Sequence, residues 1–218
     1  MSERLADWIK FKFATAVLKE LEEDRSSEIH VTDLVYDCLR RAYYEKTDGQ
    51  IASEDSALVL WIGKKLHETE FAGCEHEKEL SFSAEGVTIV GRADEVCRTG
   101  DGWYVVIDKK TCRRVPSSPY EHHVKQLEMY AAVLKYVYGY DVRAVAVLYI
   151  DVSNLESKVY VKSVSEMGLK AVLNEMLDKA QRLKKALEGE KPPEARPHWL
   201  CKYCPYWSRC IRDGLGGV

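Results

Sequence analysis

The sequence predicts an α/β protein with a mixed central sheet flanked by helices. Two observations carry this. Five short segments rich in Val, Ile and Tyr, at 77–84, 87–97, 103–110, 143–151 and 156–163, are bounded by Gly, Asp or Ser and read as strands. Helical stretches surround and interrupt them, giving the order helices, strands, helix, strands, helix, which suits helices packed on a sheet. The 218 residues suffice for one domain with a sizeable core. We expect a single domain over 1–218 with its core at about 55–165. A second region is formed by about 31–50 together with 196–213.

Each element has its own signal. Residues 4–23 place Leu5, Trp8, Ile9, Ala16 and Leu21 at helical spacing, and a break follows at Asp24–Ser27. Thr32 is the expected N-cap of a second helix through about Glu45. Residues 55–72 read as a third helix, with Leu58, Leu60, Trp61, Leu66 and Phe71 as its apolar positions. Arg98-Thr99-Gly100-Asp101-Gly102 reads as a hairpin loop. Residues 119–138 and 165–188 are strong helices. Gly189–Pro197, with three prolines, is an irregular connector, and the Gly-rich last residues are expected to fray.

Composition excludes several classes. No apolar run approaches the roughly 18–20 residues of a membrane span. The charged start, MSERLADWIKFKF, holds no signal core. A cytoplasmic protein without membrane contact is expected. The formal net charge of −3 argues against a basic nucleic-acid coat, but it leaves room for a local basic groove or an acidic site needing a divalent cation. Low Asn and Gln with high charge resemble a thermophile composition, against which the cysteine content runs. Seven cysteines cannot close as a disulfide framework, and clustered thiols in a reducing compartment bind metal or do redox chemistry.

Cys201, Cys204 and Cys210 form a C-x2-C-x5-C run. A two-residue turn points both sulfurs at one metal centre. Three thiolates are one short of the usual four for zinc or an iron–sulfur cluster. Cys38, Cys74, Cys97, Cys112 and His198 are the candidates for the fourth. Cys97 and Cys112 lie in or beside expected strands and read as small buried hydrophobes. Cys74 follows a helix end and is ambiguous. Cys38, in the polar and aromatic stretch Tyr36-Asp37-Cys38-Leu39-Arg40-Arg41, is preferred. Spacing does not separate zinc from iron–sulfur.

The second constellation is Asp94 with Asp108-Lys109-Lys110, fourteen residues on and joined by a short hairpin. Residues two apart in a strand share a face, so Asp108 and Lys110 point together and the neighbouring strand can bring Asp94 beside them. Two carboxylates and a lysine at strand ends suit metal-assisted phosphodiester hydrolysis. Oxygen ligands hold Mg²⁺ or Mn²⁺, the cation activates water, and the lysine stabilises developing charge. An acid-x-Lys triplet alone means little, since Glu156-Ser157-Lys158 is another, but that one lacks a preceding Gly-x-x-Asp hairpin. His67 lies on the helix before the sheet. Gln126 and Tyr130, four apart, share one helix face, where a glutamine suits a site better than a dry core.

In this order His67, Gly91-x-x-Asp94, Asp108-x-Lys110 and Gln126-x-x-x-Tyr130 resemble the RecB-like branch of the PD-(D/E)xK nuclease superfamily. With an upstream cysteine and the C-terminal C-x2-C-x5-C run, the chain is similar to the CRISPR-associated RecB-like exonucleases that carry an iron–sulfur cluster, the fourth family in that naming series. The resemblance covers roughly 30–212. It implies a RecB-like, restriction-endonuclease-type core with a C-terminal iron–sulfur region. It places an Mn²⁺ or Mg²⁺ site at His67, Asp94, Asp108 and the Lys109 carbonyl, with Lys110 catalytic and Gln126 and Tyr130 positioning DNA or water. It places the cluster at Cys38, Cys201, Cys204 and Cys210, 4Fe–4S on family habit with 2Fe–2S as the alternative.

The implied function is metal-dependent DNA cleavage, exonucleolytic and 5′→3′ on single strands, trimming DNA ends for CRISPR spacer acquisition beside the integrase complex. The basic pairs Arg40-Arg41, Lys64-Lys65 and Arg113-Arg114 could line a strand groove, and Trp61, Trp103, Trp199 and Trp207 could stack on bases. A RecB-type repair nuclease outside CRISPR shares this chemistry. A non-catalytic zinc- or cluster-bearing DNA-binding module is the non-enzymatic rival.

Overall fold

A computed structural model describes residues 2–21, 28–49 and 54–214. Six strands form one sheet, the two-residue β1 lying outside the five expected segments: β1 (Ile29–His30), β2 (Cys74–Ala84), β3 (Val87–Arg98), β4 (Tyr104–Cys112), β5 (Val142–Asp151) and β6 (Ser157–Ser163). The order is β1-β3-β4-β5-β6, with β2 also paired to β3. The pairs β1–β3 and β4–β5 are parallel; β2–β3, β3–β4 and β5–β6 are antiparallel. The sheet is therefore mixed, as the sequence predicts. The hairpin between β3 and β4 closes at Gly102, whose φ of +88° suits a residue without a Cβ.

One feature of the register positions the site. β4 pairs with β3 only from Tyr104 to Ile107, opposite Arg98 back to Glu95. Beyond Ile107, β4 continues against β5 alone as far as Cys112. The strands diverge there, leaving a notch between Asp94 on β3 and Asp108 on β4.

The helices are α1 (Ser2–Leu21), α2 (Val31–Leu34), α3 (Leu39–Asp48), α4 (Glu54–His67), α5 (Glu121–Tyr136), α6 (Glu166–Glu188) and α7 (Trp207–Arg212), the last preceded by a 3₁₀ turn at Trp199–Tyr203. α5 buries Leu127, Met129, Tyr130 and Ala131 through Leu134 against the sheet. α6 packs on α5, and α4 packs on β4 with α1 beside it. Trp61 Nε1 donates to Glu20 and Lys64 Nζ to the Glu20 carbonyl, at 2.7 and 2.8 Å, tying α4 to α1. No helix of the described residues is long and apolar enough to cross a membrane.

Several boundaries differ from expectation. The single helix from Thr32 is two, α2 and α3, broken at Val35–Cys38, and α2 starts at Val31. The break is tertiary in origin. Lys179 of α6, itself buried, donates to the Leu34 carbonyl at 3.2 Å and to Asp37 at 2.8 Å, drawing off a carbonyl that a continuous helix would use. The third helix ends at His67 instead of continuing to 72. β2 begins at Cys74, and β4 runs beyond Lys110 to Cys112. The expected break at 24–27 and the fraying at 215–218 lie outside the described residues.

The cysteine readings change as well. Cys97 is no lone buried hydrophobe: it is disulfide-bonded to Cys74, the residue opposite it in the β2–β3 register. Cys112 is a free, partly buried thiol pushed up by burial and then by Asp151.

Candidate active site

The notch gathers the carboxylate–lysine constellation. Asp94 Oδ2 lies 2.7 Å from His67 Nδ1, at the last residue of α4. The same oxygen accepts the Lys109 backbone N–H at 2.9 Å, bridging the diverging strands. Lys110 Nζ donates to Asp108 Oδ1 at 2.8 Å, both on the same side of β4. Gln126 Nε2 donates to the Tyr130 hydroxyl at 3.0 Å on α5. Tyr130 is close enough that the charges of Asp108 and Asp94 add to the burial that pushes its phenol up.

The two carboxylates are driven apart in acidity. Asp108 is 1% exposed. Burial, opposed by Lys110 and reinforced by Asp94, pushes it up to about 6. Burial acts on Asp94 too, but the His67 hydrogen bond and charge, the Lys109 N–H and Lys110 outweigh it and hold Asp94 below the usual carboxylate range. Paired carboxylates with opposed shifts in a cleft mark a functional site.

Among the described residues, no group of three or more His, Cys, Asp or Glu is gathered closely enough to hold a metal ion. Each notch carboxylate is instead engaged by a protein donor. The donor set still suits a hard divalent cation, because Asp108 Oδ2 is buried with no hydrogen-bond partner among the described residues. A buried, unpaired carboxylate oxygen is costly, and a cation satisfies it.

The shift on Asp108 fixes a pH dependence. A cation at Asp108 would bind the ionised carboxylate, so binding would release the proton that the buried group holds below about pH 6. Mn²⁺ affinity is expected to fall roughly tenfold between pH 7.5 and 5, since about one tenth of such a group is ionised one pH unit below its pKa. Calorimetric titration at the two pH values checks it.

The cysteine run packs elsewhere. Cys38, Cys201 and Cys204 line one cavity of about 320 Å³ with Tyr36, Arg41 and His122. Cys210, on α7, sits 3.8 Å from Arg40 Nη1. Of the other upstream candidates, Cys74 and Cys97 are bonded to each other. The tail is tied to α3: Arg40 donates to the carbonyls of Pro193 at 2.6 Å and Gly214 at 3.0 Å, Tyr44 to Asp213 at 2.8 Å, and Tyr206 to the Gly49 carbonyl at 2.6 Å. Arg40 is thus buried structure and cannot line a groove. Lys65 pairs with Glu68 and Glu20.

Two sets of neighbours escaped the sequence reading. Burial and the charge of Lys110 hold His122 and His123 down, His123 to about 3, so that side of the notch is uncharged imidazole at neutral pH. His123 Nδ1 lies 2.7 Å from the Tyr149 hydroxyl. The paired histidines opening helix 119–138 were the available signal. The other is the Lys109 side chain, which alternation turns away from Asp108 and onto α4.

Comparison with known proteins completes the picture. The profile of the PD-(D/E)XK nuclease superfamily matches residues 12–211. The chain is 28% identical over 214 residues to the CRISPR-associated exonuclease Cas4 of Saccharolobus solfataricus, covering 88% of this chain and 94% of that protein. The crystal structure of SSO0001 superposes with a TM-score of 0.60 at 22% identity, over 94% of this chain and 97% of that one, and so shares its fold. The LHK-Exo structure in complex with dAMP matches at TM-score 0.47 and 11% identity, over 75% of this chain and 91% of that one.

Proposed function

The chain belongs to the PD-(D/E)XK nuclease superfamily, and from that premise we propose that it is a divalent-metal-dependent DNA exonuclease acting 5′→3′ on single strands. The observation that carries this is the notch, where His67 meets Asp94, Lys110 meets Asp108, and a buried Asp108 oxygen has no hydrogen-bond partner among the described residues. His67, Asp94, Asp108 and the Lys109 carbonyl would hold Mn²⁺ or Mg²⁺. That cation would supply Lewis acidity toward the scissile phosphate and activate water. Lys110, 21% exposed at its side chain and held by Asp108, aims a positive charge where the transition state gains negative charge. Gln126 orients the Tyr130 hydroxyl toward the same notch.

We place this activity in trimming DNA ends for spacer acquisition beside the CRISPR integrase complex; the likeness to a CRISPR-associated exonuclease supports the CRISPR setting. A four-thiolate iron–sulfur cluster at Cys38, Cys201, Cys204 and Cys210, 4Fe–4S by preference, is part of the same proposal; Cys38, Cys201 and Cys204 line one cavity, while Cys210 lies on α7 against Arg40.

One preparation tests both parts. Protein purified anaerobically is assayed for iron and for cleavage of end-labelled single-stranded DNA with Mn²⁺, Mg²⁺ or chelator. Digestion from the 5′ end with either cation and none with chelator is expected. Iron at about four per chain is expected, lost in Cys38→Ser. DNA binding that survives chelation without any cleavage overturns the nuclease reading. Absence of iron overturns the cluster alone.

A further inference from the structure

Lys109 is 1% exposed and Glu95 fully buried, and together they form a salt bridge of 2.8 Å behind the notch. A lysine is almost never fully buried unless paired, so the pair demands an account. Each proton of the ammonium has an acceptor: Glu95 Oε1, the Thr69 carbonyl at 2.5 Å and the His67 carbonyl at 3.2 Å. The two carbonyls belong to the end of α4 and the turn after it, where a helix leaves carbonyls unsatisfied. A cation there also complements the helix dipole.

The partner is held through one oxygen, its buried Oε2 having no hydrogen-bond partner among the described residues. Glu95 Oε1 also contacts His76 Nδ1 at 2.9 Å across the β2–β3 pair and accepts the Phe71 N–H at 3.3 Å. The Lys109 ammonium lies 5.4 Å over the Phe71 ring. The chain from Thr69 to Phe71 is therefore pinned at both ends to one buried charge pair.

Two contacts of the same residue meet in the notch. The Lys109 backbone N–H holds Asp94, while its side chain holds the backbone of His67, and those two side chains are 2.7 Å apart. A pair retained for stability alone would be replaceable, since well-packed apolar residues often serve a buried site as well as an ion pair. A pair that sets the place of a ligand is not.

We propose that Lys109 is a positioning residue for the cation site: its buried ammonium, held by Glu95, clamps the end of α4 and fixes where His67 meets Asp94. This rests on the cation-site reading above.

The test neutralises both charges at once with Lys109→Met/Glu95→Gln. Lys109→Met alone strands a buried carboxylate and is expected to fold poorly. The double variant strands no charge, and its melting temperature is expected to return close to wild type. Two readouts then separate positioning from bulk stability. In the metal-free protein, long-range ¹H–¹⁵N spectra are expected to show the His67 Nδ1–H engaged with Asp94 in wild type and released in the double variant. Mn²⁺ affinity by calorimetry is expected to weaken about 10–100-fold in the double variant, the range for loss of a group that orients a metal ligand.

A stable double variant with wild-type His67 signals and wild-type Mn²⁺ affinity overturns the proposal. If it does not fold, Lys109→Gln/Glu95→Gln carries the test, its amide still donating to the carbonyls, with a smaller loss in the same direction. Wild-type protein that binds no Mn²⁺ overturns the cation-site reading instead. The metal-free spectra then decide the positioning role alone.

Discussion

Asp108→Asn is expected to abolish cleavage while leaving the metal-free protein at least as stable as wild type. The loss of rate should reach about 10³-fold or more, some 4 kcal/mol of transition-state stabilisation at roughly 1.4 kcal/mol per tenfold. The substitution removes a charged oxygen that no donor among the described residues satisfies and leaves Lys110 facing a neutral amide in place of its 2.8 Å carboxylate partner. Lys110 is partly exposed and can turn to water. The stability effect has a definite sign. Asp108 titrates at about 6 in the fold against 3.8 ordinarily, so its contribution is present in full below the unfolded value and lost as pH rises through about 6. At pH 7 the ionised group therefore opposes folding by on the order of 3 kcal/mol, which the neutral amide relieves. Asp94 has the opposite sign: its lowered value supports the fold above the ordinary range, and that support fades only in stronger acid.

Asp94→Asn should lose activity similarly and lose some stability as well. Single-turnover cleavage with thermal melts at pH 7 checks both, with DNA affinity measured in Ca²⁺ to show that substrate still binds. Glu156→Ala is the control. Glu156 is exposed in the turn before β6, and Lys158 lies over the Tyr160 ring at 4.6 Å. An inactive Glu156 variant beside an active Asp108 variant would move the site to the other triplet.

The sheet was legible because its strands alternate and its hairpin carries turn residues: 87–97 and 103–110 each lie within a residue or two of β3 and β4. Asp108 and Lys110 were legible as a pair by period alone. What escaped depends on contacts distant in sequence. The break at Val35–Cys38 carries no Gly or Pro, and is made by Lys179, 145 residues from Leu34. The Cys74–Cys97 bond needs the β2–β3 register, which neither strand reveals by itself. Alternation sends the Lys109 side chain away from Asp108, but nothing local says that the end of α4 waits there. Polar groups buried by tertiary structure were the common blind spot.

Gly91→Ala is expected to destabilise the protein by about 2–3 kcal/mol, near the upper range for overpacking a tight core. No unusual backbone angle demands glycine here. The reason is close approach: a Cβ would stand 2.8 Å from Tyr130 Cε1, 3.0 Å from Val31 Cγ2 and 3.3 Å from Val31 Cβ. Neither neighbour can yield easily. Val31 opens α2 and is 1% exposed; Tyr130 is 3% exposed, in a stretch of α5 buried from Met129 to Leu134, and its hydroxyl is held by Gln126. The melting temperature should drop by roughly 5–10 °C at about 2–4 °C per kcal/mol for a chain of this size. Because Gly91 precedes Asp94 on β3, the strain falls where Tyr130 meets the notch, and cleavage should fall beyond what the unfolded fraction explains. The double variant Gly91→Ala/Tyr130→Ala separates the causes. Tyr130→Ala alone leaves a cavity and costs about 3 kcal/mol or more. If the clash is the mechanism, the added methyl occupies that cavity, and the double variant loses less than the sum of the singles by about 1 kcal/mol or more. Strict additivity would mean that Gly91 is required for some reason other than the approach of Tyr130.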